Sequence, residues 1–524
     1  MNTKRYLAAA MAGVLLLAGC GGRKETQSKV SDADLKSYPL KGGITFTFWK
    51  QLNPNLAATY SNQGESPFEK ELEKRTGVKI KYQHPAAGSV QESFNIMISS
   101  GDLPDLIYYP WEWYQGGAVK AIEDGHIITI TDKMEKYAPA YTTYLKEHED
   151  IDRAVRTESG DYFGFPFIRG DKTLQVSAGL VLRQDWLNDL GREVPTTISE
   201  WKNVLQQFKD KKGASAPLSM APNGFVWACF VDAYNTTRDF YIDNGKVVYG
   251  PAAPQYKDFL KEMNDWYKEG LLDNSIATVD SKMIETNILN GYAGATATTV
   301  GGGIGKLMAA RPNDKFELVA APFPTLNKGD YPEFGHMQLK VPNTYAAISA
   351  KSKNIDAAMK FLDYGYSEKG HMLYNFGIEG ESYNMVDNYP KYTDYITKNP
   401  EGLAMSAAMS HYMRSHVAGP FVQDIRYMEQ YAALPAQQDA WKKWSDTNME
   451  NHILPQLYFQ ENEIKEMASI LNAVRTYESE QFLKFIMGVE PVDNFDAYVK
   501  EMNSRGLDKL LAAYQSAYER YLNR

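Results

Sequence analysis

The stretch QESFNIMISSGDLPDLIYYP, residues 91–110, decides the fold. Its first half carries apolar residues at helical spacing, and Gly101 is typical of a residue that ends a helix. A Leu-Pro-Asp turn follows, and residues 106–109 then form a short β-rich run. The pattern predicts a helix, a tight turn and a strand that enters a sheet.

The chain before this stretch shows the same alternation. GGITFTFWK, residues 42–50, alternates apolar and hydroxyl side chains and predicts a strand. SPFEKELEKRTG, residues 66–77, predicts an amphipathic helix, and VKIKYQ, residues 78–83, predicts the next strand. Strand, helix, strand, helix, strand is the pattern of a parallel sheet covered by helices, so we expect an α/β lobe here.

Residues that typically begin or end helices and turns indicate further secondary-structure elements downstream. Gly191 is expected to close one helix, and Thr197 with Glu200 predicts a capping box at the start of the next. FYIDNGKVVYG, residues 240–250, places an Asp-Asn-Gly turn between two β-rich runs and predicts a hairpin. The C-terminal region has helical periodicity with a break at Gly506.

Composition narrows the class of protein. The 524 residues are more than one hydrophobic core normally organises, so two or more lobes are expected. A net charge of -9 without a long basic run argues against nucleic acid as a partner. The chain has 35 Tyr, 22 Phe and 9 Trp, and the flat faces of Tyr and Trp suit carbohydrate rings.

The N-terminus has the features of an export signal. Lys4 and Arg5 precede a short apolar run that ends in Leu-Ala-Gly and Cys20, which resembles a bacterial lipoprotein box. This predicts a signal peptide over residues 1–19, a diacylated Cys20 and a flexible tether over residues 20–42. The alternative is an ordinary secretory peptide with a chance cysteine. No later stretch is apolar for long enough to span a membrane.

Other reactive patterns are weak. The second cysteine, Cys229, lies among apolar residues in FVWACF, which favours a buried inert thiol over a nucleophile and predicts no disulfide. TTVGGGIGKLM, residues 298–308, is not a P-loop because Leu307 stands where Ser or Thr is required. Its glycines fit helix packing, a hinge or a close approach to a ligand. The eight histidines show no metal-binding spacing, and no cofactor is expected.

Four segments together resemble a known family. They are SSGDLPDLIYY (residues 99–109), LRQDWLNDLGREVPTTISEWKNVLQQFK (182–209), YNFGIEGESYN (374–384) and FIMGVEPVDNFDAYVKEMNSRGLDKLLAAYQSAYERY (485–521). They resemble extracellular solute-binding lipoproteins of carbohydrate ABC importers, in the large branch linked to oligosaccharide uptake in Firmicutes. Each match alone is modest, but the four occur in the family order, and the matches are spread from Cys20 to Tyr521, so the resemblance extends over nearly the whole mature chain.

The resemblance implies an α/β, two-lobed periplasmic-binding-protein-like fold, the Venus flytrap, with several crossovers between lobes and a helical C-terminus. Ligand is then held in the cleft between lobes that close by a hinge motion. The expected organisation is residues 43–165 for the first part of lobe 1, 166–336 for the first part of lobe 2, 337–365 for the return to lobe 1 and 366–524 for the completion of lobe 2 and the C-terminal helices. Crossovers are expected near residues 165–179, near residues 337–349 and after residue 364.

Some relatives carry a calcium loop after the helix that corresponds to residues 198–210. This chain has DKKGASAPLSM at residues 210–220, with one carboxylate and two lysines where oxygen ligands are needed. We therefore expect no calcium at that place, and we assign no metal ligands elsewhere in the sequence.

A sugar site needs aromatic platforms and polar groups for hydroxyls. Two tryptophans in YYPWEWYQGG follow the carboxyl end of a strand, where open α/β sheets bind ligands, and a third in FVWACF could face them from lobe 2. Core packing or an interlobe ion pair is the alternative at several positions. The predicted ligand-binding residues are Trp49, Trp111, Trp113, Arg169, Asp171, Asn223, Trp227, Tyr374, Glu379 and Tyr383.

The sequence thus predicts a substrate receptor, monomeric and lipid-anchored to the outer face of a bacterial membrane. It would capture an oligosaccharide and deliver it to the transmembrane permease subunits of an ABC importer, with no catalytic residues of its own. Two rivals stay open: a surface glycoside hydrolase or lyase, and an importer receptor for peptides or another polar solute. The density of Trp and Tyr near strand ends favours the sugar receptor over the peptide receptor.

Overall fold

A computed structural model describes residues 30–311 and 315–524. Cys20 and the predicted signal peptide, residues 1–19, lie outside the described residues. Among the described residues, no helix combines the length and the apolar character that crossing a membrane requires.

The last part of the predicted tether is folded. Leu35 and Leu40 are buried in the hydrophobic core of the first lobe, called the first core below. The Tyr38 hydroxyl donates to the Lys360 carbonyl at 2.5 Å. The expectation of a flexible tether reaching residue 42 is therefore corrected for residues 30–42. Four apolar or aromatic side chains in this segment, Val30, Leu35, Tyr38 and Leu40, pack on the lobe, although the segment as a whole is polar.

The strands, in chain order, are β1 (Ile44–Trp49), β2 (Val78–Gln83), β3 (Leu106–Pro110), β4 (Gly164–Arg169), β5 (Ala178–Arg183), β6 (Phe240–Asp243), β7 (Lys246–Tyr249), β8 (Ala295–Thr299), β9 (Leu318–Ala320), β10 (Thr344–Ile348), β11 (Tyr383–Val386), β12 (Tyr389–Tyr392) and β13 (Phe421–Gln423). The first three confirm the strands that the sequence predicts. The turn between β6 and β7 confirms the predicted hairpin, because Asn244 and Gly245 both have positive φ, at 49° and 79°.

The α-helices are α1 (Pro54–Ala57), α2 (Pro67–Thr76), α3 (Val90–Ser100), α4 (Gly117–Glu123), α5 (Met134–Tyr137), α6 (Pro139–Glu147), α7 (Glu149–Val155), α8 (Gln184–Leu190), α9 (Ile198–Lys212), α10 (Asn223–Val226), α11 (Tyr256–Lys268), α12 (Ser281–Leu289), α13 (Lys306–Ala309), α14 (Ile355–Asp363), α15 (Glu368–Phe376), α16 (Asp394–Thr397), α17 (Met405–Tyr412), α18 (Ile425–Tyr431), α19 (Pro435–Ser445), α20 (Glu461–Ile486), α21 (Phe495–Ser504) and α22 (Leu507–Leu522). Short 3-10 turns connect several of them, including Trp111–Trp113 and Lys172–Gln175.

The first lobe is built on a six-stranded sheet in the order β13-β4-β10-β3-β1-β2. β1 runs parallel to β2 and β3, as the alternating pattern predicts. β10 is antiparallel to both β3 and β4, so the sheet is mixed. The reason is that β10 enters from the second lobe at the edge where β3 and β4 end, and must run back across the sheet.

The second lobe contains a three-stranded antiparallel sheet in the order β8-β5-β9 and a larger share of the helices. β4 and β5 lie in different sheets, so residues 165–179 form the first crossover, as predicted. The return near residues 337–349 is also present, because β10 belongs to the first sheet.

The C-terminal part of the chain crosses more often than the sequence predicts. Tyr374 belongs to the first core and Phe376 to the second, which gives the third crossover. β13 then returns to the first sheet beside β4, and Tyr458 also packs in the first core. Assigning residues 366–524 to the second lobe alone therefore omits these returns, because β13 is three residues long and has no readable period.

One local prediction is modified. The Thr197 side chain accepts from the Glu200 backbone N–H at 3.2 Å, as a capping box requires, but the Glu200 carboxylate accepts from the Thr196 N–H at 2.9 Å instead of from Thr197.

FVWACF does not form a core helix. α10 ends at Val226, and Ala228 and Phe230 adopt positive φ of 61° and 68°. The Cys229 thiol is buried as predicted, and burial raises its pKa well above the usual range.

The glycine run forms a π-helical segment, Val300–Gly305, that packs on α18 and α19. A Cβ on Gly301 would lie 2.5 Å from the Tyr431 ring, and the Gln437 amide donates to the Val300 carbonyl at 2.9 Å. Close helix packing, one of the three interpretations that the sequence leaves open, therefore explains Gly301.

This packing gives a paired stability prediction. Gly301→Ala should destabilise the protein by about 1–3 kcal/mol because the added methyl overpacks Tyr431. Gly302→Ala should stabilise it by about 0.4–1 kcal/mol, since its Cβ would meet nothing closer than 3.8 Å and the unfolded chain loses freedom. Urea denaturation of both variants measures the difference, and equal effects would contradict the packing role.

Candidate functional site

A cavity of about 1700 Å³ opens between the two lobes and is called the cleft below. The first lobe lines it with α3, the turn Trp111–Trp113 and α4. The second lobe contributes residues 226–228 and β6, and the long helices α20 and α22 close one side. Pockets for small ligands usually measure about 300–1,000 Å³, so this cleft has room for a ligand of several rings.

Trp113 forms an exposed aromatic surface in the cleft. Its side chain is 48% exposed, and its ring meets Tyr109 edge-on with centroids 6.0 Å apart. Tyr109 in turn stacks on Phe94, with 3.6 Å between the ring centroids. The Trp113 ring, called the Trp113 platform below, is therefore supported by a layer of packed aromatic rings. The ring is thus held in place, and about half of its surface stays open to the cavity.

Trp111 has a different role from its neighbour. It is 0% exposed, and its indole N–H donates to the Tyr345 carbonyl at 3.1 Å. The prediction that Trp111 contacts ligand is therefore corrected: it has no surface open to the cleft and instead fixes the loop that carries Trp113. The 3-10 turn explains the pair, since side chains two residues apart lie about 120° apart around its axis, so that one points inward and the other outward.

Trp227 reaches the same cleft from the second lobe. It is half-buried, its ring lies 6.3 Å from the His336 ring, and Val226 beside it is 52% exposed. Burial lowers the pKa of His336 to about 4, with the Arg169 charge as a second cause, so this imidazole is neutral at pH 7. The structure thus brings together two of the tryptophans that the sequence places on opposite lobes.

The cleft is electrostatically balanced. Its six charged side chains are Glu112, Asp124, Asp239, Lys120, Lys465 and Arg475. Lys120 pairs with Asp124, and the Arg475 guanidinium lies 2.9 Å from the Asp239 carboxylate. Three acidic groups therefore face three basic ones, and two of the basic groups are already paired within the protein.

The remaining predicted residues lie outside the cleft lining. Trp49 is 6% exposed and packs on Phe94 and Tyr109. Tyr374 and Tyr383 are also buried, at 6% and 5% exposed. Direct ligand contact at these three positions is corrected to core packing, because each ring is enclosed by its own lobe.

Arg169 and Asp171 do not pair with each other. The Arg169 guanidinium donates to the Leu339 carbonyl at 2.6 Å and to the Gln338 side chain at 2.8 Å, which joins β4 to the returning crossover. Asp171 caps the turn Lys172–Gln175 by accepting from the Thr173 N–H at 2.8 Å. Both residues therefore shape the hinge segment.

Asn223 and Glu379 are exposed but do not line the cleft. Several lining residues were not predicted, among them Glu112, Asn343 and Tyr458. Glu112 could have been predicted from the sequence, because it stands between the two tryptophans that were assigned to the site. Nothing in the sequence near Asn343 or Tyr458 signals a site, because long-range contacts bring them there. In the part of the chain that the structure describes, no group of three or more His, Cys, Asp or Glu residues is placed to hold a metal ion.

Comparison with known proteins agrees with this architecture. A lipoprotein LipO of Bacillus subtilis is 24% identical over 78% of this chain and 80% of its own length. A fructooligosaccharide ABC transporter substrate-binding protein, FusA of Streptococcus pneumoniae, is 23% identical over 97% of this chain and 96% of its own. The structure of the alginate-binding protein AlgQ2 without calcium ion superposes with a TM-score of 0.75, at 24% identity, over 92% of this chain and 99% of that one.

That structural likeness shows a shared two-lobed α/β fold. The family model for bacterial extracellular solute-binding proteins matches residues 58–372, which is more than half of the chain. The match includes β3 with its tryptophan turn, the first crossover and the return through β10. The chain therefore belongs to the bacterial extracellular solute-binding protein family.

Proposed function

We propose that the protein captures an oligosaccharide between its lobes and delivers it to the permease of an ABC importer. The observation that carries the proposal is a cleft of about 1700 Å³ lined by both lobes, with Trp113 on one side and Trp227 on the other. Tryptophan faces bind the apolar faces of sugar rings, and a tryptophan from each lobe lets ligand stabilise the closed state.

The relatives support the choice of ligand class. One is named as a fructooligosaccharide ABC transporter substrate-binding protein, and the structural neighbour as an alginate-binding protein. The family consists of binding proteins, and the same role without catalysis is proposed for this chain. Its partners would be two transmembrane permease subunits, with a separate ATPase that supplies the energy.

Anchoring is part of the proposal. The thiol of Cys20 would carry the lipid and hold a monomeric receptor on the outer face of a bacterial membrane. Two acyl chains suffice for stable anchoring, since each buried methylene contributes about 0.8 kcal/mol. The presence of a lipoprotein among the relatives supports this assignment.

A thermal-shift screen tests the proposed ligand class. The purified protein is heated with defined oligosaccharides, and short peptides are run beside them. A ligand at 100 times its dissociation constant should stabilise the folded state by about 2.7 kcal/mol, which raises the melting temperature measurably. Chromatography of the glycan after incubation shows whether it has been changed.

The outcomes separate the three candidate functions. A shift with one glycan class and unchanged glycan supports the receptor. A shift with peptides alone would overturn the oligosaccharide assignment while keeping the transport role. Cleaved glycan would overturn the assignment as a binding protein.

A further inference from the structure

Three polar side chains form the floor of the cleft beside Trp113. They are Glu112, Asn343 and Tyr458, and all three line the cavity. Asn343 and Tyr458 are each 8% exposed. Among the described residues, the Asn343 side-chain oxygen has no hydrogen-bond partner, and the Tyr458 hydroxyl has no well-formed hydrogen bond and interacts only with Tyr345. Buried polar atoms without partners are rare in folded proteins, so these atoms point to a ligand that completes them.

Glu112 supplies the charge of this group. Its side chain is exposed to the water of the cavity, yet the surrounding walls desolvate the carboxyl and raise its pKa, while the Asn343 amide beside it opposes that shift. No salt bridge to Glu112 occurs among the described residues. Apart from the hydrogen bond with Asn343, the carboxylate is therefore available as an acceptor in the cleft that Trp113 also lines.

We propose that Glu112, Asn343 and Tyr458 form a hydroxyl-binding subsite beside the Trp113 platform, and that this subsite selects uncharged oligosaccharides over uronate-containing ones. The proposal rests on the proposed function and names its substrate class. A sugar ring stacked on Trp113 would direct its ring hydroxyls toward the floor. One or two of these hydroxyls donate to the Glu112 carboxylate. The Asn343 side-chain oxygen accepts from another sugar hydroxyl, and the Tyr458 hydroxyl donates to or accepts from a sugar oxygen.

The charges of the cleft explain the selection against uronates. A ligand carboxylate near the floor would face the Glu112 carboxylate and lose its hydration. Carboxylates are usually held by arginine forks, but Arg475 is engaged by Asp239 and Lys120 by Asp124. With three acidic and three basic groups in the lining, the cleft offers no positive excess to offset several ligand carboxylates.

Calorimetric titration with matched pairs of glycans tests the selection. The probes are oligogalacturonate and oligomannuronate, each beside its carboxyl-reduced counterpart, which has the same linkages without the charges. Neutral fructo-, malto-, cello- and xylo-oligosaccharides complete the panel. We expect at least one neutral glycan to bind, and no uronate to bind more tightly than its reduced counterpart.

The failures of the two proposals are distinguishable. A uronate that binds more tightly than its reduced counterpart would overturn the selection and leave the oligosaccharide receptor standing. Absence of binding to every glycan would overturn the receptor itself, and the subsite with it.

Glu112→Gln tests the subsite directly. Loss of a charged acceptor should weaken the neutral glycan roughly tenfold to a hundredfold, and the preference over uronates should shrink because the repulsion is gone. Tyr458→Phe keeps the ring and removes the hydroxyl, and should weaken the same glycan roughly twofold to tenfold. Because phenylalanine has almost the same shape as tyrosine, this variant should fold normally, and its affinity tests the subsite even if Glu112→Gln folds poorly.

Glu147→Gln is the matched control, because Glu147 is exposed at the end of α6 and does not line the cleft. It removes the same charge from the same lobe and should leave both affinities unchanged. Unchanged affinity in Glu112→Gln, with an unchanged melting temperature of the free protein, would contradict the subsite.

Discussion

Replacing Glu478 by alanine should lower the free energy of unfolding by about 3–5 kcal/mol, because it leaves the buried guanidinium of Arg238 without its carboxylate. The side chains of this ion pair are 6% and 5% exposed. One guanidinium nitrogen of Arg238 donates to both Glu478 oxygens at 2.9 Å, and the Nε donates at 3.1 Å. The charge is thus satisfied by one carboxylate held in a fixed geometry.

The surroundings of the pair make its loss expensive. The Arg238 guanidinium lies over the Phe482 ring at 3.6 Å, and it also donates to the Pro222 carbonyl at 3.4 Å. Neither contact replaces a counter-charge, and burial excludes water from the site. Because Glu478 belongs to α20 and Arg238 precedes β6, the substitution also removes a link between two elements that both line the cleft.

Urea denaturation followed by tryptophan fluorescence measures this loss. Glu466→Ala is the control, since Glu466 lies on the same helix and pairs with Lys509 at the surface, with both side chains more than half exposed. An exposed pair contributes about 0–1 kcal/mol, so the control should stay close to the unmodified protein. Similar losses in the two variants would show that burial of the Arg238–Glu478 pair is not what stabilises this region.

Local signals in the sequence predict the first lobe well. β1, β2, β3 and the helices between them follow from periodicity and from glycines that end helices, because those features depend on neighbours along the chain. The second tryptophan segment shows where such reasoning stops. FVWACF has the composition of a core helix, but the chain turns through positive φ at Ala228 and Phe230, and this brings Trp227 to the cleft.

The site was predicted only in part for a related reason. Which face of a tryptophan is open depends on the layer beneath it, and Phe94 and Tyr109 come from different elements. Asn343 and Tyr458 reach the floor of the cleft through the return of β10 and the segment before α20. Contacts over such separations leave no pattern in the residues around each position.

Trp113→Ala should weaken glycan binding and change stability little, whereas Trp111→Ala should mainly lower the stability of the fold. Removing the exposed ring should weaken glycan binding by about 2 kcal/mol or more, as for a central aromatic contact, which is roughly 30-fold. The free energy of unfolding should fall by no more than about 1 kcal/mol, because 48% of the Trp113 side chain is already exposed. Calorimetric titration and urea denaturation measure the two quantities on the same samples.

Trp111→Ala should instead destabilise the fold by about 3–5 kcal/mol, since it empties a fully buried volume and removes the hydrogen bond to the Tyr345 carbonyl. Trp113→Phe serves as the conservative variant: it keeps a flat face and should recover part of the affinity that Trp113→Ala loses. If Trp113→Ala binds glycan as tightly as the unmodified protein, the exposed ring is not the platform, and capture must rest on Trp227 and the second lobe. If both alanine variants lose stability equally, the division between an anchoring and a ligand-facing tryptophan is wrong.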